Sequence, residues 1–239
     1  MQWRSTPHLK MLPPLGLALA WVRTPSPCMQ FELPKRFPSA VPRATSTRPK
    51  EALALRDALL ARSTDTDTID SLLDACMAAR SPFKAECLGG GLWRASHSRG
   101  KTPRWQKQRD LLPRWLTKNR AGQAYAPRSS RVVNYGEILG KRCYFTAEGS
   151  FSAATRGARC PQDFNVLIER GGLVLLGKRF VSSAISGKGF LRVRYIDEDI
   201  RIFESPNDSP DKWEEAGLVV VQVRDALFDD AGPFPEARS

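Results

Sequence analysis

The run CLGGGLWRASHSRGKTPRW, from Cys87 to Trp105, admits two readings that lead to different folds. Taken from its end, Gly100-Lys101-Thr102 looks like the close of a phosphate loop of pattern G-x-x-x-x-G-K-[ST]. That loop needs a glycine five residues before Gly100 so that its amides can turn toward the phosphates, and Ala95 stands there. Pro103 and Arg104 then follow where a helix N-terminus would complete the anion site. Taken from its start, the run has Gly89 and Gly90 as a flexible lead into a strand, Gly91 to His97, with Trp93 as a candidate plug at one end of a barrel. No strand–helix–strand alternation appears elsewhere, which disfavours a doubly wound nucleotide fold.

The segments after this strand keep a strand period. Leu92 to His97, Arg131 to Leu139, Arg142 to Phe151, Asp163 to Glu169, Leu173 to Phe180, Phe190 to Ile196, Ile200 to Glu204 and Leu218 to Arg224 are expected as strands. Leu139-Gly140-Lys141, Gly171-Gly172 and Asp197-Glu198-Asp199 read as the turns of successive hairpins, because glycine accepts the positive φ that tight turns demand. Sequential hairpins make an up-and-down meander, and closing it removes exposed edges. The expected fold is therefore mainly β, a lipocalin-like antiparallel β-barrel over residues 83–228, with a flexible tail at 229–239. The stretch between Gly100 and Arg131 has no clean period. It reads as a long basic loop whose Arg104, Trp105, Arg114 and Trp115 suit an anionic membrane surface; RNA stacking would use the same residue types.

Two helices are expected ahead of the barrel, as an amphipathic hairpin over residues 49–82. KEALALRDALLARS spaces Leu53, Leu55, Leu59 and Leu60 mostly at helical intervals. STDTDTIDSLLDACMAARS offers Asp65, Asp67 and Thr68 at its start and Ile69, Leu72, Leu73, Cys76 and Met77 on one face, and Ser81-Pro82 stops it. Residues 1–48 differ in kind. The first 50 residues hold eight Lys/Arg against Glu32, so +7 of the +12 formal charge lies there and +5 in the rest. Rich in Ser, Thr, Pro and Arg, this segment reads as a disordered organelle transit peptide; the competing reading is a secretory signal around LGLALAWV, Leu15 to Val22. That apolar run is too short to span a membrane, which takes about 20 residues.

Little in the sequence points to catalysis or metal binding. His8 and His97 are the only histidines, and Ser96 and Ser98 cannot share the face of His97 on a strand, where neighbouring side chains alternate. Five cysteines show no CxxC pair and read as buried thiols, with no zinc site expected. Asp197, Glu198 and Asp199 read as a solvated turn in preference to a site for a hard cation. With 239 residues and 41% hydrophobic content, a core can form without staples.

Taken together, the basic leader, the helix pair ALRDALLAR to LLDACMAAR, the opening strand GGGLWRASHSRG and the late stretch YIDEDIRI (Tyr195 to Ile202) resemble the plastid lipid-associated proteins, also called fibrillins or plastoglobulins. The likeness covers roughly residues 50–225. It departs after Ile202, where Phe203-Glu204-Ser205 replaces the family's glycine and second arginine, and in the insert ESPNDSPDKWEEAG. The resemblance implies a non-catalytic protein of the chloroplast, at thylakoids or plastoglobules, that binds a lipid, carotenoid or prenylquinone without a cofactor. It also implies no nucleic-acid partner and no transmembrane segment in the mature chain. Trp93, Tyr135, Phe145, Phe164, Phe180, Tyr195 and Arg201 are the candidate residues of a ligand cavity or barrel end, with Arg201 lying over Trp93. Phe151 belongs to the same aromatic set. The alternatives are a structural protein of plastid membranes with a solid core and an organellar RNA-binding protein.

Overall fold

A computed structural model describes residues 48–100, 120–206 and 217–232. Two helices, α1 (Lys50–Leu60) and α2 (Thr66–Ala78), precede eight strands: β1 (Leu92–Arg99), β2 (Ala121–Ala126), β3 (Arg131–Glu137), β4 (Cys143–Ala153), β5 (Gln162–Leu175), β6 (Lys178–Ile196), β7 (Ile200–Ser205) and β8 (Leu218–Arg224). Every strand pairs antiparallel with its neighbours in sequence, and β1 also pairs with β8, so the sheet closes into a ring. Asp65 caps α2 by accepting from the Thr68 amide at 3.1 Å.

The expected number of strands is matched, but the strands differ in two places. β2 lies inside the segment read as a basic loop: AGQAYA has one large side chain, and its small residues show no alternation in hydropathy. Gly171-Gly172 is not a turn. β5 runs straight through it, and the chain reverses at Leu176-Gly177, whose φ values of 50° and 77° are the pair of positive angles that a two-residue turn needs. The expected strands Leu173 to Phe180 and Phe190 to Ile196 are therefore pieces of a longer hairpin, whose second strand β6 runs 19 residues. Gly140, at φ 61°, does turn the β3–β4 hairpin.

Side-chain alternation divides the core into an outer and an inner part. On β7 and β8, Ile200, Ile202, Val221 and Val223 face outward beneath Leu55, Leu59, Ile69 and Leu73 of the helices. Their neighbours Arg201, Phe203, Val220 and Gln222 face the inside of the ring. Burial on both faces explains why LVVVQV reads as a continuous apolar run. Inside, Trp93, Tyr125, Val132, Phe151, Phe164 and Val193 fill one end as a floor.

The turn Asp197–Asp199 is an arginine clamp joining the ring to the helices. Asp197 Oδ1 accepts from the amides of Asp199 and Ile200 at 2.7 and 2.8 Å, closing the turn. Arg48 reaches Asp197 at 3.1 Å and Asp199 at 2.5 Å, and Arg56 of α1 reaches Asp199 at 2.8 Å. Arg48 thus belongs to the folded body, although the composition places residue 48 in the leader. Burial opposes ionisation of Asp199, but hydrogen bonds from Arg48 and Arg56 outweigh it and hold the carboxyl below its usual value. A depressed folded-state pKa gives stability that is complete above the ordinary aspartate value of about 3.9 and is lost as pH falls through the folded value. Asp199→Asn should therefore cost about 2 kcal/mol at pH 7, with the gap to wild type closing below about pH 4; urea denaturation across pH 3–7 measures it.

Candidate functional site

The floor of the ring is built around Trp93. The β1–β8 register sets Trp93 opposite Arg224, and both side chains point inward. The indole is fully enclosed and donates from Nε1 to the carbonyl of Leu88 at 2.9 Å. The Arg224 guanidinium lies 3.6 Å from the indole centroid, a cation–π contact fixed by bonds from Nε to the Glu198 carbonyl and from Nη2 to the Cys87 carbonyl. Arg201, expected as the partner of Trp93, is 5.5 Å from it and closer to Tyr125, at 4.5 Å. The sequence reading missed Arg224; an apolar strand ending in an arginine two residues beyond the inward Gln222 is the signal that points to it.

Above the floor lies a cavity of about 980 Å³, walled mostly by apolar and small side chains and crossed by inward residues of all eight strands. Phe145 and Val181, 54% and 49% exposed, stand where it meets solvent. Phe145 borders the cavity, as the aromatic pattern led one to expect, whereas Tyr135, next to the inward Asn134, turns its side chain to the outer face. Phe164 instead belongs to the floor, 6.0 Å from Phe151 and 5.8 Å from Phe83.

Two more of the expected lining residues face elsewhere. Tyr195 is buried beneath the helices on the outside, with its hydroxyl donating to Asp197 at 2.9 Å. A register shift between Val193 and Tyr195 in the β6–β7 pairing reverses the alternation there, so Val193 and Ile196 point in while Tyr195 points out. Phe180 is 72% exposed, because the hairpin turns at Leu176-Gly177 and its neighbour Val181 takes the inward position. Arg104, Trp105, Arg114 and Trp115 lie outside the described residues.

A second polar cluster sits on the outer face, reaching from the end of β8 across β1 and the start of β2 to β3. Arg94 donates from Nε to Asp225 at 2.7 Å, Arg120 bridges Asp225 at 3.0 Å and Glu137 at 2.7 Å, and the Tyr135 hydroxyl donates to Glu137 at 2.7 Å. Burial raises the cost of charge on Glu137, yet the Arg120 hydrogen bonds keep it ionised, below its usual value. Arg94 also reaches Asp230 at 2.8 Å, so both buried arginines are paired with carboxylates and the cluster acts as a joint. His97, outside the ring, meets Asp70 of α2 at 2.9 Å, and the Ser96 hydroxyl donates to the Arg94 carbonyl, which leaves no Ser96–His97 pair. Burial pushes the Cys76 thiol up to about 12 and the Cys160 thiol upward too, so neither is a ready nucleophile. Among the described residues, no cluster of His, Cys, Asp and Glu has metal-binding geometry.

Compared with known proteins, the chain matches no family model, no curated protein and no solved structure.

Removing Asp225 leaves Arg94 and Arg120 buried beside one carboxylate fewer. Asp225→Asn should lower unfolding free energy by about 3–5 kcal/mol in urea titration, whereas Asp74→Asn, at an exposed ion pair with Arg99, should change it by less than about 1 kcal/mol.

Proposed function

We propose that the chain is a non-catalytic binding protein for a lipid or isoprenoid, held in a lipocalin-like barrel and exchanged at a membrane surface. The observation that carries this reading is the 980 Å³ apolar cavity, at the upper end of the range, about 300–1,000 Å³, typical of small-molecule sites. A solid-core structural protein would fill that space with side chains. An RNA-binding protein would have no use for it. The resemblance to the plastid lipid-associated proteins supports the same conclusion, and with it a plastid location at thylakoids or plastoglobules and a carotenoid, prenylquinone or other lipid as cargo.

The rim of the ring supports the surface part of the reading. The β3–β4 and β5–β6 turns lie side by side there, joined by the bond from the Leu176 amide to the Arg142 carbonyl at 2.7 Å. Leu139, Leu176 and Phe180 are exposed on these turns, amid Lys141, Arg142 and Lys178. Apolar tips ringed by cations fit the headgroup layer of an anionic bilayer. β1 ends and β2 begins at this same rim. No helix among the described residues is long and apolar enough to cross a membrane.

The full chain, purified without detergent and analysed by mass spectrometry, should carry close to one lipid per protein; a lipid-free protein that takes up no lipid on incubation with vesicles refutes the reading. Replacing Leu176 and Phe180 together by serine should weaken binding to anionic vesicles at least about fivefold, measured by co-sedimentation.

A further inference from the structure

The cavity narrows onto a polar inner end that apolar cargo alone does not explain. Arg201 points inward from β7, 1% exposed, among the rings of Tyr125, Phe203 and Trp93. Among the described residues no carboxylate meets it. Its Nη2 donates to Gln123 Oε1 at 2.6 Å and to Gln222 Oε1, while its Nε is buried with no acceptor. Arg224 lies on the same floor, and its Nη1 is likewise buried without a partner. A buried guanidinium matched only by aromatic rings and amide dipoles is a charge without a counter-ion.

The two glutamines relay that charge to the cavity, which both of them line. Arg201 offers only donors, so each amide turns its oxygen toward the guanidinium; one N–H of Gln222 also donates to Gln123 Oε1 at 3.5 Å, which leaves its second N–H and the NH2 group of Gln123 for the cavity. Asn134, the cross-strand partner of Gln123, adds a third amide at this level, and its Oδ1 is buried with no partner. Reversing that amide presents its NH2 group to the cavity instead, since the two ends have nearly the same shape. Three amides facing one space with a buried cation behind them form an acceptor-binding site.

We infer that the inner end of the cavity binds the carboxylate of a long-chain fatty acid, which enters head first and lies with its tail toward the rim. This rests on the reading of the cavity as a lipid site, and names the headgroup that the site selects. The negative head accepts from the NH2 groups of Gln123, Gln222 and Asn134 and neutralises the field of Arg201 through them. The tail lies along the apolar wall formed by Ile168, Leu173 and Val220. Burial lowers the Arg201 guanidinium from its ordinary value, and burial together with the charge of Arg201 brings Arg224 down to about 10.

Oleate and oleyl alcohol share a tail and differ in the charge of the head, so the test compares their binding to the delipidated full chain by isothermal titration calorimetry, below the micellar range. Oleate should bind at least tenfold more tightly. In Arg201→Met the ratio of the two affinities should fall close to one, and Asn134→Leu, a change on the cavity wall away from the guanidinium, should lower it severalfold and serves if the first variant does not fold. Equal binding of the two ligands by wild type, or a ratio that survives these substitutions, overturns the head-first site while the cavity still stands as a lipid site. Failure of both ligands to bind overturns the cavity reading and this inference together.

Discussion

Trp93 and Arg224 are cross-strand partners in the pairing that closes β1 onto β8, and their stacked side chains plug the end of the ring that they help to close. The constraint is one of parity as much as of attraction. With Trp93 fixed inward, Ala95 points inward opposite Gln222, and the shift in register beyond Ala95 turns His97 outward toward Asp70. With Arg224 inward, Val221 and Val223 must face outward, where they receive the helices. A slip of one residue in this pairing would expose the indole and carry the apolar set of β8 to the wrong side.

The hollow above the floor follows from side-chain size along the inward positions. Near Trp93 the inward residues are large: Tyr125, Phe151 and Phe164. Farther up the ring they become Ala95, Ala147 and Gly171, with Gly187 and Gly189 of β6, all on the cavity wall. A closed eight-stranded sheet has an interior that side chains can just fill, so this change from large to small opens the space without any change in the ring. The Asp197–Asp199 clamp by Arg48 and Arg56 works from the opposite side, fastening the helices over β7 and β8 so that the hydrophobic outer face of those strands is covered.

Much of this organisation is legible in the sequence, and the exceptions have local causes. β7, β8 and the glycine–tryptophan strand β1 are plain because their apolar positions are strong and the turns beside them carry Gly or Asp. AGQAYA is hidden because a strand that lines a cavity with small residues has no hydropathic contrast to show. Gly171-Gly172 reads as a turn when its actual use is to pass a strand along the cavity wall, with Leu176-Gly177 reversing the chain a few residues later. Tyr195 cannot be assigned to the outer face by alternation, since an irregularity two residues earlier resets the count. The polar floor of Gln123, Gln222 and Arg201 is a property of strands far apart in sequence, and it emerges only when the ring closes.

The central claim is that the ring interior is open space reserved for a ligand, and Ala147→Phe addresses it most directly. Ala147 lies on the cavity wall, and a phenyl ring there occupies the room assigned to the lipid tail. Measured together by urea denaturation and lipid binding, the variant should keep wild-type stability to within about 1 kcal/mol while losing its lipid. Destabilisation by about 1–3 kcal/mol or more, the signature of overpacking a filled core, or undiminished lipid binding, would contradict the account.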